Sequence, residues 1–580
     1  MLKILSLSIL KKFCKSKSHH SGSLSFYLIR LYSSNSASIN SNNSTLSIKP
    51  ALNFNHIISN PETLNKNLIH RKSHLSPDTL EDIVYLHNES KNLSKRLAEA
   101  RQRHNSLGNK IKDAINNNKS LKEKENSTKS SNQIQDLLSL NSNNSINQNQ
   151  TDLLGTSNLG LSEKVQDYHT EAATLKESIL NLSKDAITLE QRLLSLALQL
   201  PNDLHPDVPI GPYSNSQIVS SSYGIKSSTD SLPFNSFDQP CRSPDLNRDH
   251  LNIMTQLGWL SFADAQKTTG PSFAFLIGNG AFLELALIQY ALSLALRDHW
   301  NLTIGPDLIR TDLSDRCGFS PRDGGESNQT YFVSTSKNSL AETSSDPSLN
   351  SLTRPTHCLA ATAEIPLVSS HHSITLPNST YPSFPSQPIQ LVTLGNAYRA
   401  EAGSRGTEKA DNRSSEKMLQ KMLNFQIKLI ESLNLPYRVL QMSSQELGAP
   451  AYHKYDIETW MPGRGRWGEV SSASNCTDYQ SRRLAIRYRA QQNIETPTSD
   501  PSVAKDTSSM PSKTSITKKS NEKSLYVHTL NATAAAMPRL IVSLIENGII
   551  LNKHNKPVKL ELPASLKPFW LGEHTDIEWI

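Results

Sequence analysis

The chain has 580 residues, enough for about two or three domains, and 36% hydrophobic residues permit a sizeable core. Its formal net charge is +7, but residues 1–61 contain seven Lys or Arg and no Asp or Glu, so the remaining residues balance at 53 basic and 53 acidic. This composition argues against a fibrous protein and against a general basic field for nucleic acid. RNA binding would have to come from local basic patches.

The opening segment, residues 1–50, is basic, rich in Ser and free of acidic residues, with an apolar stretch at 2–10 followed by a Lys cluster. This composition predicts a disordered mitochondrial transit peptide that directs the protein to the mitochondrial matrix. A secretory signal is the alternative. It is disfavoured because the apolar stretch is short and is followed by lysines instead of small residues.

Cysteines and long apolar runs indicate neither a metal site nor a membrane span. The five cysteines lie far apart with no C-x-x-C pair, so the sequence predicts no zinc and no disulfide framework. The longest apolar run, residues 281–296, contains Glu284 and Gln289. It therefore predicts a buried helix and not a membrane span.

Two segments carry an apolar heptad, the first from Ile83 to Ala114 and the second from Val165 to Leu200, where Pro201 ends it. Residues 116–160 between them are rich in Asn, Ser, Gln and Lys and are predicted to stay disordered. The pattern predicts an antiparallel helical hairpin within residues 51–211, with a helix start at Ser76 to Asp78. Periodicity alone would favour a dimerisation coiled coil.

The first predicted helix carries a basic face. Its seven cations are candidates for contacts with nucleic-acid phosphates, although such a face is equally typical of a solvated helix. They are Lys91, Lys95, Arg96, Arg101, Arg103, Lys110 and Lys112.

A polar block at residues 455–489 alternates acidic, aromatic, hydroxylic and basic residues with few apolar runs. Glu469 lies close to Ser471 and Ser472, so a carboxylate and two hydroxyls are candidates for one metal ion or polar ligand. Taken alone, the block fits a solvated strand edge equally well.

The string E-V-S-S-x-S-N-C-x-D-Y-Q-x-R-R from Glu469, preceded by K-Y-D-I-E-x-W-M-P from Lys454, resembles the catalytic block of seryl-tRNA synthetases. The hairpin followed by LPNDLHPDVPIG resembles the tRNA-binding arm of the same family. The resemblance implies an α/β (α+β) fold, with a class II antiparallel sheet flanked by helices in residues 246–580 and a linker at 212–245. Polar insertions are expected at 335–356 and 491–523.

Two further motifs resemble the part of the family that binds serine. The tripeptide T-A-E is Thr362, Ala363 and Glu364, with the Glu364 carboxylate suited to the ammonium group of L-serine. VHTLNATAAAMPRL resembles motif 3, in which Asn531 and Thr533 would line the serine pocket. Without the resemblance, the tripeptide would be an ordinary strand end.

The resemblance also implies an ATP site with Mg²⁺. Y-R-A-E-A-G from Tyr398 resembles the first strand of motif 2, so Arg399 would contact the α-phosphate, while Arg539 of motif 3 would bind the γ-phosphate. These two arginines are the predicted catalytic residues. The predicted ATP-binding residues are Arg399, Ala400, Glu401, Glu469, Val470, Ser471, Ser472 and Arg539, and Glu469 with Ser472 would hold the Mg²⁺.

The implied function is a serine–tRNA ligase of mitochondrial translation. It would activate L-serine with ATP and transfer the seryl group to the 3′ end of tRNA(Ser), with tRNA(Sec) left open. The helix around residues 283–296 and the strand that ends at Pro306 resemble motif 1, which implies a homodimer. No membrane partner is expected.

Motif 2 departs from the family pattern after Gly403. In the family, E-A-G-S is followed by a loop and a second strand, but here EAGSRG passes through TEKADNR directly into a helical pattern. The second strand, its adenine-stacking Phe and its serine-binding Glu have no counterpart. This departure supports a non-catalytic RNA-binding or scaffolding dimer as the alternative. It also predicts that the chain is nearly inactive until the missing strand is inserted after Gly406.

Overall fold

The computed structural model describes residues 50–136, 151–223, 232–237, 240–270, 273–319, 330–333, 356–376, 388–398, 413–489 and 524–580. The predicted transit peptide, apart from its last residue, lies outside these ranges. So do nearly all of the two predicted insertions at 335–356 and 491–523 and the motif 2 residues Arg399, Ala400 and Glu401.

The N-terminal part of the chain is helical. Two short helices, α1 (Phe54–Ser59) and α2 (Pro61–His70), precede the long helices α3 (Asp78–Asp136) and α4 (Thr151–Ala197). Leu86 near the start of α3 shares an apolar cluster with Leu193 near the end of α4. Farther along, Arg103 of α3 donates a hydrogen bond to Glu171 of α4. The long helices are therefore antiparallel, as the heptads predicted.

Both long helices extend into the segment that was predicted to be disordered. The apolar seam of α3 ends at Ala114, but the helix continues to Asp136, and α4 begins at Thr151, well before its first apolar heptad position at Val165. Between Pro77 and Pro201 the chain has no proline, and its Lys, Glu and Gln residues favour helix. The apolar heptads predict where the two helices pack against each other, but not where α3 ends and α4 begins.

Hydrogen bonds join the base of this arm to the rest of the protein. The Asn202 amide donates to the carbonyl oxygens of Pro450 (2.8 Å) and Cys476 (2.9 Å). Arg71, which is buried, donates to the Asn202 carbonyl oxygen at 2.6 Å. Because these groups are buried and mutually satisfied, the connector after α4 is fixed on the main sheet.

The remaining elements belong to the body of the protein. Its helices are α5 (His250–Gln256), α6 (Phe262–Thr268), α7 (Asn279–Arg297), α8 (Thr311–Arg316), α9 (Glu364–Ser369), α10 (Arg413–Ser432), α11 (Tyr479–Leu484) and α12 (Met537–Gly548). Its strands are β1 (Gln217–Ser222), β2 (Leu260–Ser261), β3 (Phe275–Leu276), β4 (Asn301–Leu302), β5 (Leu308–Arg310), β6 (Phe332–Val333), β7 (His357–Leu359), β8 (Thr375–Leu376), β9 (Leu391–Val392), β10 (Tyr437–Gln441), β11 (His453–Met461), β12 (Arg466–Thr477), β13 (Arg487–Arg489), β14 (Ser524–Tyr526), β15 (Thr529–Thr533), β16 (Ile549–Leu551), β17 (Pro557–Leu562) and β18 (Ile577–Trp579).

The main sheet has five strands in the order β1-β10-β11-β12-β15, and every neighbouring pair is antiparallel. One face of the sheet carries Tyr455, Ile457 and Ala473 into the largest apolar cluster. That cluster also contains buried side chains of α7, α10 and α12, including Leu283, Ile430 and Leu544. An antiparallel sheet flanked by helices is the predicted architecture, and it is confirmed.

Part of the predicted linker at 212–245 belongs to the sheet. β1 pairs with β10, and Tyr213 just before it donates a hydrogen bond to Glu458 at 2.7 Å. Arg438, which is fully buried, donates to Glu458 at 2.7 Å and to the Phe234 carbonyl oxygen at 2.6 Å. The Ser-rich sequence did not predict this edge strand, because the strand is stabilised by pairing with β10, far away in the chain.

Helix α7 corresponds to the apolar run that was predicted to be buried. It is long and apolar enough to span a membrane by composition alone. In the structure, seven of its residues are buried, including Leu283, Leu287 and Tyr290, and these three belong to the core cluster behind the sheet.

Candidate active site

A bulge in β12 determines which side chains share the polar face of the sheet. Glu469 lies opposite Glu458, whereas Ser471 lies opposite Ile457, so Val470 is an extra residue in β12. Strand residues three positions apart normally lie on opposite faces. The extra residue places Glu469 and Ser472 on the same face, as expected for two ligands of one ion.

The two other residues of the E-V-S-S string face the core. Val470 belongs to the apolar cluster behind the sheet. The Ser471 hydroxyl donates to the Thr533 carbonyl oxygen at 2.7 Å. Any contact of these two residues with ATP would therefore be made by their backbone, and their place in the ATP site stays a prediction.

Strand β15 adds polar groups to the same face. Thr533 lies opposite Ser472, and Asn531 lies opposite Ser474. Because side chains opposite one another in an antiparallel pair share a face, Asn531 and Thr533 flank the position of Ser472. The structure thus brings together residues from the predicted serine and metal sites, although they are far apart in the sequence.

The predicted phosphate-binding arginine contacts the predicted metal ligand. Arg539, in the first turn of α12, lies with its Nη1 at 3.3 Å from Oε2 of Glu469. Both side chains are partly exposed, at 45% and 34%. An exposed ion pair is worth at most about 1 kcal/mol, so each partner can be released to a phosphate or a cation at little cost.

The three residues of the T-A-E motif are half-buried at the start of α9. Oε1 of Glu364 accepts hydrogen bonds from Nδ2 of Asn531 (2.9 Å) and from Nε2 of Gln480 (2.5 Å). The Thr362 hydroxyl accepts from the backbone N–H of Glu364 at 3.3 Å, and Ala363 precedes the helix. The predicted serine residues Glu364 and Asn531 are therefore in direct contact.

Two cysteines lie at this pocket. Burial raises the pKa of the Cys317 and Cys476 thiols, and the nearby Glu364 carboxylate raises it further. Both thiols therefore stay protonated at neutral pH. The Cys476 sulfur accepts a hydrogen bond from Nδ2 of Asn531 at 3.3 Å, so it helps to orient the pocket.

An ion pair that the motifs did not assign lies on the same face. Lys454 of β11 bonds to Asp456 at 2.6 Å, and Asp456 lies opposite Ser472. Burial raises the pKa of Asp456 above its usual value, against the lowering effect of Lys454. The K-Y-D pattern could have predicted this ion pair, because residues two positions apart in a strand share a face.

Arg399, Ala400 and Glu401 are outside the described residues, so their roles stay predictions. The residue before them, Tyr398, donates its backbone N–H to the carbonyl oxygen of Ala360 at 3.0 Å. The chain therefore enters motif 2 beside the segment that leads to Thr362.

Two groups of His and carboxylate side chains in the described residues are close enough to hold a metal ion: His205 with Glu416 and His453, and Asp249 with His250 and Glu546. In the first group, Nδ1 of His453 lies 2.9 Å from Glu416 and Nε2 lies 3.1 Å from the Gln441 amide nitrogen. That nitrogen also donates to the Asp207 carbonyl oxygen, so Nε2 of His453 must accept and Nδ1 must carry the proton.

A metal ion bound at Nδ1 would require the reverse, because the imidazole nitrogen that does not bind the metal carries the proton and donates it to an acceptor. The His453 contacts therefore favour a hydrogen bond to the Glu416 carboxylate over a metal there. Burial by itself would raise the pKa of Glu416, but hydrogen bonds from His453 and Asn475 lower it below its usual value. The predicted absence of zinc stays a prediction.

Known proteins resemble this chain in sequence and in fold. Residues 355–499 match the family model of the class II tRNA synthetase core domain (G, H, P, S and T). The chain is 32% identical over 428 residues to the mitochondrial serine–tRNA ligase of Saccharomyces cerevisiae, covering 71% of this chain and 80% of that protein. It is 31% identical over 425 residues to the mitochondrial serine–tRNA ligase of Mus musculus, covering 70% of this chain and 67% of that protein.

A solved structure shares the fold. The crystal structure of seryl-tRNA synthetase from Pyrococcus horikoshii complexed with ATP superposes with a TM-score of 0.58 at 22% identity, covering 91% of this chain and all of that one (100%). At this identity the likeness concerns the fold alone.

Proposed function

The chain belongs to the seryl-tRNA synthetase family of class II aminoacyl-tRNA synthetases, and we propose that it activates L-serine with ATP and transfers the seryl group to the 3′ end of tRNA(Ser). The observation that carries this proposal is the bulge at Val470, which places Glu469 and Ser472 on one face with Asn531 and Thr533. The relatives are named serine–tRNA ligases, and nothing in these comparisons supports a non-catalytic dimer.

In the proposed serine pocket, the Glu364 carboxylate pairs with the substrate ammonium group. The neutral amides of Asn531 and Gln480 donate to its Oε1 and orient the carboxylate without cancelling its charge. Thr362 stabilises the start of α9 by accepting the Glu364 N–H. Thr533, which is exposed beside Ser472, lies where the serine carboxylate would meet ATP.

For the ATP site, the Glu469 carboxylate and Ser472 hydroxyl are hard oxygen donors that fit Mg²⁺. When bound, Mg²⁺ would neutralise phosphate charge. Arg539 would leave Glu469 to bind a phosphate, and Arg399 would follow the charge on the α-phosphate as the serine carboxylate attacks and pyrophosphate leaves. The protein would act by positioning and charge stabilisation, without side-chain acid–base catalysis.

The hairpin of α3 and α4 is the proposed tRNA-binding arm. All seven cations predicted on α3 are exposed. Arg103 is engaged with Glu171, and Lys110 lies 5.8 Å from the centre of the Tyr168 ring, so these two also hold the hairpin together. The other five are better placed for phosphate contacts.

We infer a homodimer from the apolar side chains that α7 and the strands after it leave exposed. Ile304 is 81% exposed, which is costly for an isoleucine on a monomer. Exposed residues of the same region are Leu285, Leu296, Leu302, Leu308, Tyr331 and Val333. Light scattering should give the mass of a dimer, and Ile304→Lys should shift it toward the monomer.

The proposed location is the mitochondrial matrix. It rests on the acid-free, basic composition of residues 1–61 and on relatives that are named mitochondrial. A fluorescent reporter fused to this segment should enter mitochondria, and a reporter that stays in the cytosol would contradict the proposal.

The decisive test of function is serine-dependent ATP–pyrophosphate exchange. It should be measured for the 580-residue chain and for the chain with a second motif 2 strand inserted after Gly406, with threonine as the control amino acid. Exchange with serine by either protein, followed by transfer to tRNA(Ser), supports the proposal. Exchange by neither, or equal exchange with threonine, would overturn it.

A further inference from the structure

Gln480 in α11 connects three elements of the proposed serine pocket. Its Nε2 donates to Oε1 of Glu364 in α9 at 2.5 Å and to the carbonyl oxygen of Cys317 at 3.3 Å. Its Oε1 accepts from the Thr529 hydroxyl of β15 at 2.7 Å. The side chain is only 1% exposed, so these contacts form away from solvent.

These partners allow only one orientation of the Gln480 amide. The Cys317 carbonyl oxygen and the Glu364 carboxylate oxygen accept hydrogen bonds, so the nitrogen must face them. The oxygen then faces the Thr529 hydroxyl. Both N–H groups and the carbonyl oxygen are thus used, and rotating the amide would break all three contacts.

We propose that Gln480 is a positioning residue for serine recognition, which holds Glu364 in the orientation that receives the substrate ammonium group. This inference rests on the proposed function, because it assigns Glu364 to the ammonium. Asn531 donates to the same oxygen of Glu364, so two neutral amides hold the carboxylate from different elements. Gln480 also bonds to Thr529, two residues before Asn531, and therefore fixes α9 relative to β15.

A purely structural role for Gln480 makes a different prediction. If the amide only stabilises the packing of α11, its loss should weaken serine and ATP binding alike, or neither. If it positions Glu364, its loss should act on serine alone. The predicted ATP residues Glu469 and Arg539 provide this contrast, because they pair with each other on β12 and α12, whereas Gln480 lies in α11.

The test is Gln480→Met, which keeps the length of the side chain but removes its hydrogen bonds. The matched control is Gln441→Met. Gln441 is 7% exposed and its amide nitrogen also makes two hydrogen bonds, but it lies in β10, two strands away from β12. Calorimetric titration of the full-length proteins with L-serine and separately with Mg²⁺–ATP gives both dissociation constants without requiring catalysis.

We expect Gln480→Met to raise the dissociation constant for L-serine by roughly 10- to 100-fold, and that for ATP by less than about threefold. Gln441→Met should change neither. If Gln480→Met fails to fold in a thermal melt, Gln480→Asn serves instead, since it keeps the amide but is too short to reach Glu364 and Thr529 together.

Equal weakening of both ligands, or unchanged serine binding, would overturn the positioning role while leaving the proposed function intact. If the chain with the strand inserted after Gly406 also binds ATP but no serine, the proposed function is overturned and this inference with it.

Discussion

Arg438 should contribute more to the stability of the catalytic sheet than any exposed arginine of the chain. Its side chain is 0% exposed, bonds to Glu458 at 2.7 Å and donates to the carbonyl oxygens of Phe234 and Ser236. Removing one partner of a buried ion pair costs about 3 to 5 kcal/mol, because the other charge is left unpaired. At roughly 2 to 4 °C per kcal/mol for a domain of this size, Arg438→Met should lower the melting temperature by roughly 10 °C.

Arg482→Met is the matched control for this substitution. Arg482 bonds to Asp478 at the same distance, 2.7 Å, but the two side chains are 26% and 34% exposed. Its loss should cost at most about 1 kcal/mol. Calorimetric melting of both variants tests the reasoning. Equal small shifts would show that burial does not make the Arg438 network important.

Three further predictions concern the site and the arm. Glu364→Gln should weaken L-serine binding by roughly 10- to 100-fold without affecting ATP, because it removes the charge that faces the ammonium; unchanged calorimetric serine binding would contradict this. Folding lowers the pKa of Glu416, so its ionised carboxylate stabilises the protein above the pKa of the unfolded chain, and this stabilisation is lost as the pH falls through the pKa of the folded protein. Glu416→Gln should therefore lower the free energy of unfolding, measured in urea, at neutral pH but not in strong acid. Deleting residues 78–200 should weaken tRNA binding much more than it slows pyrophosphate exchange, and equal losses would mean that the arm supports the catalytic fold. The tRNA binding of the intact chain should also weaken strongly as the salt concentration rises.

The helical arm was predictable because its information is local. The start of α3 at Asp78 and the antiparallel pairing follow from caps and heptads within each segment. The end of α3 and the start of α4 were predicted wrongly, because helix propensity continues where apolar packing stops. The edge strand β1 was missed for the related reason that its stability comes from β10, far along the chain.

The active-site face depends on contacts that sequence spacing does not encode. Spacing would put Glu469 and Ser472 on opposite faces of a regular strand, and only the register with β11 reveals the bulge at Val470. Gln480 lies 116 residues from Glu364 and 49 from Thr529. The family resemblance predicted Glu364 and Asn531 as pocket residues, but Gln480, which connects their elements, appears only in the folded protein.

The short motif 2 segment predicts a measurable loss of activity, and the structure shows where that loss would act. Among the described residues, β15 pairs only with β12, so the described part of the sheet ends beside Asn531 and Thr533. A second motif 2 strand would bring an aromatic that stacks on adenine, worth about 1 to 3 kcal/mol. It would also bring a second carboxylate for serine, whose absence costs a similar amount.

At about 1.4 kcal/mol per factor of ten, these losses together should lower serine-dependent exchange by several orders of magnitude relative to a chain with the strand inserted after Gly406. Exchange by both proteins at equal enzyme concentration measures the ratio directly. The insertion should raise the rate without changing the affinity of the Glu469 and Arg539 site for pyrophosphate, because those residues lie on β12 and α12. Rapid exchange by the 580-residue chain without the inserted strand would refute the inference, since Glu364, Gln480 and Asn531 would then suffice to recognise serine.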